Sequence, residues 1–221
     1  MQAERVVRRL TKLEIVLYLC ISIILNAIGN ALTVSLNLGS ALWTASSVNL
    51  SNFIHVRLDI ILIVFGFVIV VINCFLLHRV EWGRIAKNFI FMIPFSLLVQ
   101  WFADGFDYWG IGGLLLSVRI SLDIVGIVLI GMAVSIYQRV NVILHPNDDF
   151  MQILRFDYFH GSAALAMWAS YIPAVVVLVI SVIGTRQIRA INIGTVVSLI
   201  FQGSLVGWSD KLVFPWLKHQ H

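Results

Sequence analysis

Charge is scarce in this chain. Asp, Glu, Lys and Arg make up 12% of its 221 residues, against 60% apolar residues and a mean hydropathy of +0.95. Soluble domains carry about twice that share of charge, and a soluble fold has nowhere to hide so much apolar surface. Long stretches hold no charged residue at all, among them 15–56, 60–77, 124–138 and 163–185. An integral membrane protein is what this composition leaves. Cysteine is sparse too. Cys20 and Cys74 both fall in apolar stretches, where they read as small buried residues and not as a disulfide or a ligand pair. The six histidines show no metal-ligand spacing. No P-loop, dinucleotide fingerprint, zinc motif or nucleophile elbow occurs. Neither catalysis nor a cofactor or metal is expected.

What is present is apolar length. A membrane helix needs about 20 residues, and six stretches qualify: 15–36, 58–77, 86–103, 112–136, 163–183 and 191–208. Their length and the lack of alternating polarity argue for helices over a barrel. The first stretch is longer than a signal-peptide core and no Ala-x-Ala site follows it, so it is expected to stay as a span. With the N-terminus inside, eleven Lys and Arg face the cytoplasm (Arg5, Arg8, Arg9, Lys12, Arg79, Arg84, Lys87, Arg139, Arg155, Lys211 and Lys218), and three (Arg57, Arg186, Arg189) face out. Arg119 lies within a span. This bias predicts a multi-pass protein of the cell membrane with both termini cytoplasmic. The pI near 9.3 then reflects topology and contact with anionic lipid, and no nucleic-acid partner is needed to explain it.

The two halves of the chain share an order of features: helix, broken segment, helix, polar turn, helix. The first repeat covers about 13–107 and the second about 111–211, within one membrane domain spanning 1–221. Three spans per half, an odd number, would invert the second repeat relative to the first, the plan of many transporters and channels. The expected fold is therefore all-α, six transmembrane helices as a 3+3 inverted repeat. Short broken or re-entrant helical segments follow the first and fourth spans. The Leu38-Gly39 segment leading to Trp43, the Pro146-x-Asp148 segment with Phe150-Met151, and the late Ile193-Gly194-Thr195 resemble the bacterial YczE/YyaS/YitT group of small membrane proteins, YczE-like members most. The resemblance covers nearly the whole chain. It implies a fold more than an activity, because the group is largely uncharacterised. Leu42 stands where the group's first-half motif has Pro, and Thr44 where it has Asp, whereas the second half keeps Pro146 and Asp148.

Three features bear on chemistry. The broken segments near Trp43 and Asp148 read either as half-helices entering the membrane, whose N-termini would present free N–H groups and a positive dipole end, or as amphipathic helices on the two membrane faces. Ser22, Asn26, Asn30, Thr33 and Asn37 fall within an arc of about 80° on a helical wheel. Lipid would penalise that face, so it turns into the bundle, to line a solute path or to bond neighbouring helices. Arg119 and Asp123 share a face of the fourth span. At that depth each charge needs pairing or water, with Asp59 and Asp104 as further candidate partners for Arg119. The tryptophans fall mostly at span ends, as an aromatic belt requires.

These residues point to a transporter or channel for a small solute, with Asn26, Asn30, Trp43, Arg119, Asp123 and Asp148 as candidate binding residues. Its partners would be the lipid bilayer, that solute, and either a second copy of the chain or a partner membrane protein. Two other readings stand beside it. Ala27-x-x-x-Ala31 has the small-residue spacing by which substrate-binding subunits of energy-coupling-factor vitamin transporters dock their coupling protein, although such spacing is common wherever membrane helices pack. A non-transporting accessory or assembly factor would need no cavity, and Arg119–Asp123 would then be an internal pair.

Overall fold

Thr11 and Glu14 start the first helix. The Thr11 hydroxyl accepts from the Glu14 backbone N–H while the Glu14 carboxylate accepts from the Thr11 N–H, which satisfies two of the free donors at a helix start. The computed structural model describes residues 10–219, so Arg5, Arg8 and Arg9, expected on the cytoplasmic side, lie outside the described residues. From Thr11 the chain runs through α1 (Lys12–Leu36), α2 (Leu42–Ile54), α3 (Leu58–Leu77), α4 (Trp82–Tyr108), α5 (Leu116–Val140), α6 (Pro146–Ile153), α7 (Ala163–Ser170), α8 (Ile172–Thr185) and α9 (Ile193–Leu212). A 3₁₀ turn occupies Ile111–Gly113 and a π turn Leu154–Tyr158. No strand occurs among the described residues.

Among the described residues, five segments are helical, long and apolar enough to cross a membrane: α1, α3, α4, α5 and the pair α7–α8. This is the pattern of a multi-pass membrane protein. The sixth expected stretch does form a 20-residue helix, α9, but Ser198, Gln202, Ser204, Ser209, Asp210 and Lys211 leave it outside that set. Two expected boundaries also shift. Residues 104–108, expected in an external loop, continue α4. Gln100 there donates to the Asp104 carboxylate at 2.6 Å, one helical turn on, and Phe102, Phe106 and Trp109 stack along the same edge. The fifth expected span is broken at Tyr171, because Pro173 has no N–H to give and its ring crowds the carbonyl one turn back.

α1 and α5 form the centre. They touch where Gly29 meets Gly126: a Cβ on Gly29 would come within 2.6 Å of the Gly126 carbonyl oxygen, so only glycine permits this approach. α4 packs on α1 and α3, and α9 packs on α5. The short helices cross over. α2 lies against α8 as well as α3, and α6 lies against α3. Ala27 and Ala31 are both 0% exposed, so the pair presents no surface on which a coupling protein could dock. Outward faces are apolar, as a lipid-facing surface must be; Ile60, Val64, Phe67, Val68 and Val71 of α3 are all exposed. Trp82, Trp101, Trp109, Trp208 and Trp216 are exposed at or near helix ends. Trp43 is instead half-buried inside.

Candidate functional site

Both central helices end the same way. Asn37 closes α1 and Asn141 closes α5, each with a left-handed backbone (φ 51°) that asparagine tolerates better than most residues. Each is followed by a short extended link and a short helix. After Asn37 the link is tied to the segment before α9: Ser40 N–H donates to the Ala190 carbonyl at 3.0 Å, Gly194 N–H to the Leu38 carbonyl at 3.0 Å, and Ala190 N–H to the Asn37 side chain at 2.7 Å. After Asn141 it is held by Asn88, whose amide donates to the Leu144 carbonyl at 3.1 Å, and by Asn73, which donates to the Pro146 carbonyl at 3.3 Å. α2 and α6 thereby lie inside the bundle and not on its two faces. α2 buries Thr44, Ala45, Ser46, Ser47 and Asn49, and α6 buries Pro146, Asp149, Phe150 and Ile153.

Between the beginnings of these two short helices lies a cavity of about 150 Å³. Asn26 and Asn30 reach it from α1, Trp43, Thr44 and Ser47 from α2, Tyr137 from α5, and His145, Asn147 and Asp148 from the start of α6. Phe65, Phe95, Tyr171, Ser198 and Gln202 add to the wall, with Leu62, Ile130, Val134 and Leu199 among the apolar residues between them. A volume of this order holds a benzene-sized guest, about six heavy atoms.

The polar wall is ordered by its own hydrogen bonds. Asn30 donates to the Asn26 side chain at 2.8 Å and accepts from the Thr44 hydroxyl at 2.6 Å. On the other side the Tyr137 hydroxyl donates to the Asp148 carboxylate at 2.6 Å. His145 caps α6: its Nδ1 accepts from the Asn147 backbone N–H at 3.3 Å, which places the proton of the neutral ring on Nε2. The ring packs edge-on against Phe91 and Phe95, with centroids 5.6 and 5.2 Å away. Burial holds His145 down at about 4, from an ordinary 6.5, so it is neutral at pH 7. Burial pushes the Asp148 carboxyl up from 3.8 to about 6, against the Tyr137 hydrogen bond, which lowers it. Two atoms of wall residues, Asn147 Oδ1 and Gln202 Nε2, are buried without a hydrogen-bond partner.

Asn26, Asn30, Trp43 and Asp148 are thus brought together around one volume. Arg119 and Asp123 are not among its lining residues. They sit where the link after α1 crosses the start of α9. Arg119 Nη2 donates to the Leu36 carbonyl, and Asp123 packs against the Gly194 backbone. Arg119 Nε and Asp123 Oδ1 are buried without a hydrogen-bond partner. The other acids suggested for Arg119 are engaged elsewhere: Asp59 pairs with Arg57 at 3.3 Å, and Asp104 accepts from Gln100. Tyr137, His145, Tyr171 and Gln202 escape the sequence reading. Ser198 and Gln202 lie four residues apart on a largely apolar helix, so the wheel that marks Asn26 and Asn30 would mark them too. Among the described residues, no group of three or more His, Cys, Asp or Glu is placed to hold a metal.

No curated protein and no solved structure significantly matches this chain. Residues 13–211 match DUF6198, a family of unknown function, and the chain belongs to that family.

Proposed function

We propose that this chain carries a small solute across the membrane through the cavity, as a transporter or channel and not as an enzyme. One observation supports this above others: polar side chains from both halves converge on one partly open volume inside an otherwise apolar bundle. Polar residues at such a position are costly and mark solute paths. A bundle packed for structure alone would fill the space, since protein interiors are close-packed.

The carrier is built as a six-span 3+3 inverted repeat, with α9 as the sixth span. Left-handed backbone positions support the repeat. Asn37 and Asn141 are 104 residues apart, His55 and His160 105, His78 and Arg186 108, and Gly110 and Phe214 104. Thr44 and Asp148, also 104 apart, occupy the first turns of α2 and α6 and accompany hydrogen bonds to α1 and α5 respectively. Packing is exchanged between halves, α2 against α8 and α6 against α3, as a twofold relation requires. The Lys and Arg distribution supports both termini lying in the cytoplasm. The motifs around Gly39, Asp148 and Gly194 support kinship with the YczE-like proteins.

Native mass spectrometry of the full chain, extracted gently from its own membrane, tests the reading. A small molecule retained in stoichiometric amount, and lost on Asn30→Leu, is the expected result; the same mass reports whether a second copy accompanies the chain. Arg119 and Asp123 stand apart from the cavity, which favours the accessory reading to this extent: their charges would join helices and not handle solute. A protein that co-purifies while no small molecule does would replace the carrier reading with that one.

A further inference from the structure

Asp148 is the one residue of the cavity wall that carries charge at neutral pH; the wall has no Lys or Arg, and His145 is neutral. Its carboxylate accepts from the Tyr137 hydroxyl and joins no ion pair with another described residue. The Arg84 guanidinium is already committed. It makes a forked contact with the neighbouring acid, Asp149, at 2.7 and 2.9 Å. The remaining titratable groups at the cavity are Tyr137 from α5 and Tyr171 from the α7–α8 kink, neither of which supplies positive charge. An unneutralised carboxylate in such surroundings is costly.

The rest of the wall suits a cation. Trp43, Phe65, Phe95, Tyr137 and Tyr171 surround the same volume, and aromatic faces attract an ammonium that has lost its water. Asn147, next to Asp148, keeps a buried carbonyl oxygen without a donor, and an ammonium bearing N–H groups supplies one. The volume of about 150 Å³ suits a guest of about six heavy atoms.

Resting on the carrier reading above, we infer that the solute is a small protonated amine, its ammonium set against the Asp148 carboxylate and the cavity aromatics.

The purified full chain, in detergent at pH 7.5, is titrated with matched two- and three-carbon solutes: ethanolamine and isopropylamine, the neutral ethylene glycol and isopropanol, and the anionic glycolate and propionate. Binding is read by calorimetry and by the shift in unfolding temperature. At least one amine is expected to bind at least about tenfold more tightly than its neutral and anionic counterparts, the effect of one favourable charge contact. Asp148→Asn abolishes that preference and Asp148→Glu keeps it. Phe65→Leu, which leaves the carboxylate in place, weakens the amine about three- to tenfold, as loss of a desolvated cation–π contact would, and leaves the alcohol unaffected. It keeps the test decisive if the Asn variant does not fold. Alcohols or acids binding as well as amines, or an amine preference that survives both Asp148→Asn and Phe65→Leu, overturns the inference and leaves a cavity with a different solute. Failure of every amine to bind also overturns it. A solute still retained in the extraction experiment would then preserve the carrier reading.

Discussion

Gly39 lies directly against the backbone of Gly194: a Cβ on Gly39 would fall 2.7 Å from the Gly194 Cα and closer still to the Thr195 nitrogen, and Gly39 itself has φ +141°. Both conditions exclude any other residue, because side-chain-bearing residues rarely adopt that backbone and the obstacle is main chain, which has no rotamer to yield. This contact ties the link after α1 to the start of α9. Gly39→Ala is expected to cost about 2–4 kcal/mol, combining backbone strain with a clash. The unfolding temperature in detergent checks it. A variant as stable as the parent would mean the two links are not in contact.

Two opposed groups at the cavity contribute to the pH dependence of stability. His145, held at about 4, stays neutral in the folded chain while the unfolded chain binds a proton near 6.5. Its contribution is therefore present above 6.5 and lost as pH falls towards 4. Asp148, raised to about 6, stays protonated in the folded chain when the unfolded chain has already ionised near 3.8. Its contribution is present at low pH and lost as pH rises through 6. Each is worth on the order of 3 kcal/mol across its window, so in the parent the two contributions nearly cancel between pH 4 and 6.5. Asp148→Asn leaves the histidine unopposed, and relative to the parent stability should climb with pH. In His145→Asn, which keeps a capping side chain, it should fall. Unfolding temperatures of the three proteins across that range would settle it, and identical slopes would refute the assignment.

Much of this was legible in sequence because the membrane imposes simple rules. Absence of charge located α1, α3, α4, α5 and α7–α8, and the polar arc on α1 turned inward as lipid requires, with Ser22, Asn26, Asn30 and Thr33 all buried. The kink at Tyr171 needs only Pro173. The cavity was half legible. Asn26 and Asn30 stand out because amides are unexpected on a membrane helix, and Trp43 and Asp148 because they adjoin breaks. Tyr137 and His145 do not, since a tyrosine near a helix end looks like an interfacial anchor and a histidine before proline looks like a loop. Which wall they complete depends on α6 folding inward, and that rests on contacts more than 60 residues away in sequence, such as Arg84 to Asp149.

That contact makes a prediction of its own. Asp149 is buried and Arg84 only partly so, and the guanidinium meets both carboxylate oxygens. Removing Arg84 strands Asp149, while removing Asp149 leaves Arg84 only its longer 3.6 Å contact with Glu81. Asp149→Ala is expected to cost about 2–4 kcal/mol, somewhat below a fully buried pair because Arg84 retains some access to solvent. Arg84→Met combined with Asp149→Leu should recover much of that loss, since an apolar pair of similar volume needs no neutralisation. Unfolding of Arg84→Met, Asp149→Leu and the double variant completes the cycle. Strictly additive losses would show that the two side chains do not act together.

Arg139 fixes the segment that follows α9. Its side chain, 1% exposed, donates to the carbonyls of Ser135, Val213, Phe214 and Leu217 at 2.8–3.1 Å and lies 3.4 Å from the Asp210 carboxylate. Residues 213–217 follow α9 with little regular structure of their own, and the guanidinium holds them against α5 by satisfying carbonyls that would otherwise be buried unpaired. Lysine keeps the charge but not the planar fork that reaches several carbonyls at once. Arg139→Leu should free the segment and raise the rate of trypsin cleavage after Lys211 by about tenfold or more, since even one lost charge-assisted hydrogen bond, about 1.5 kcal/mol, shifts local opening by that factor. Arg139→Lys should fall between that variant and the parent. Mass spectrometry of the released fragments measures all three, and equal cleavage rates would show that another contact holds the C-terminal segment in place.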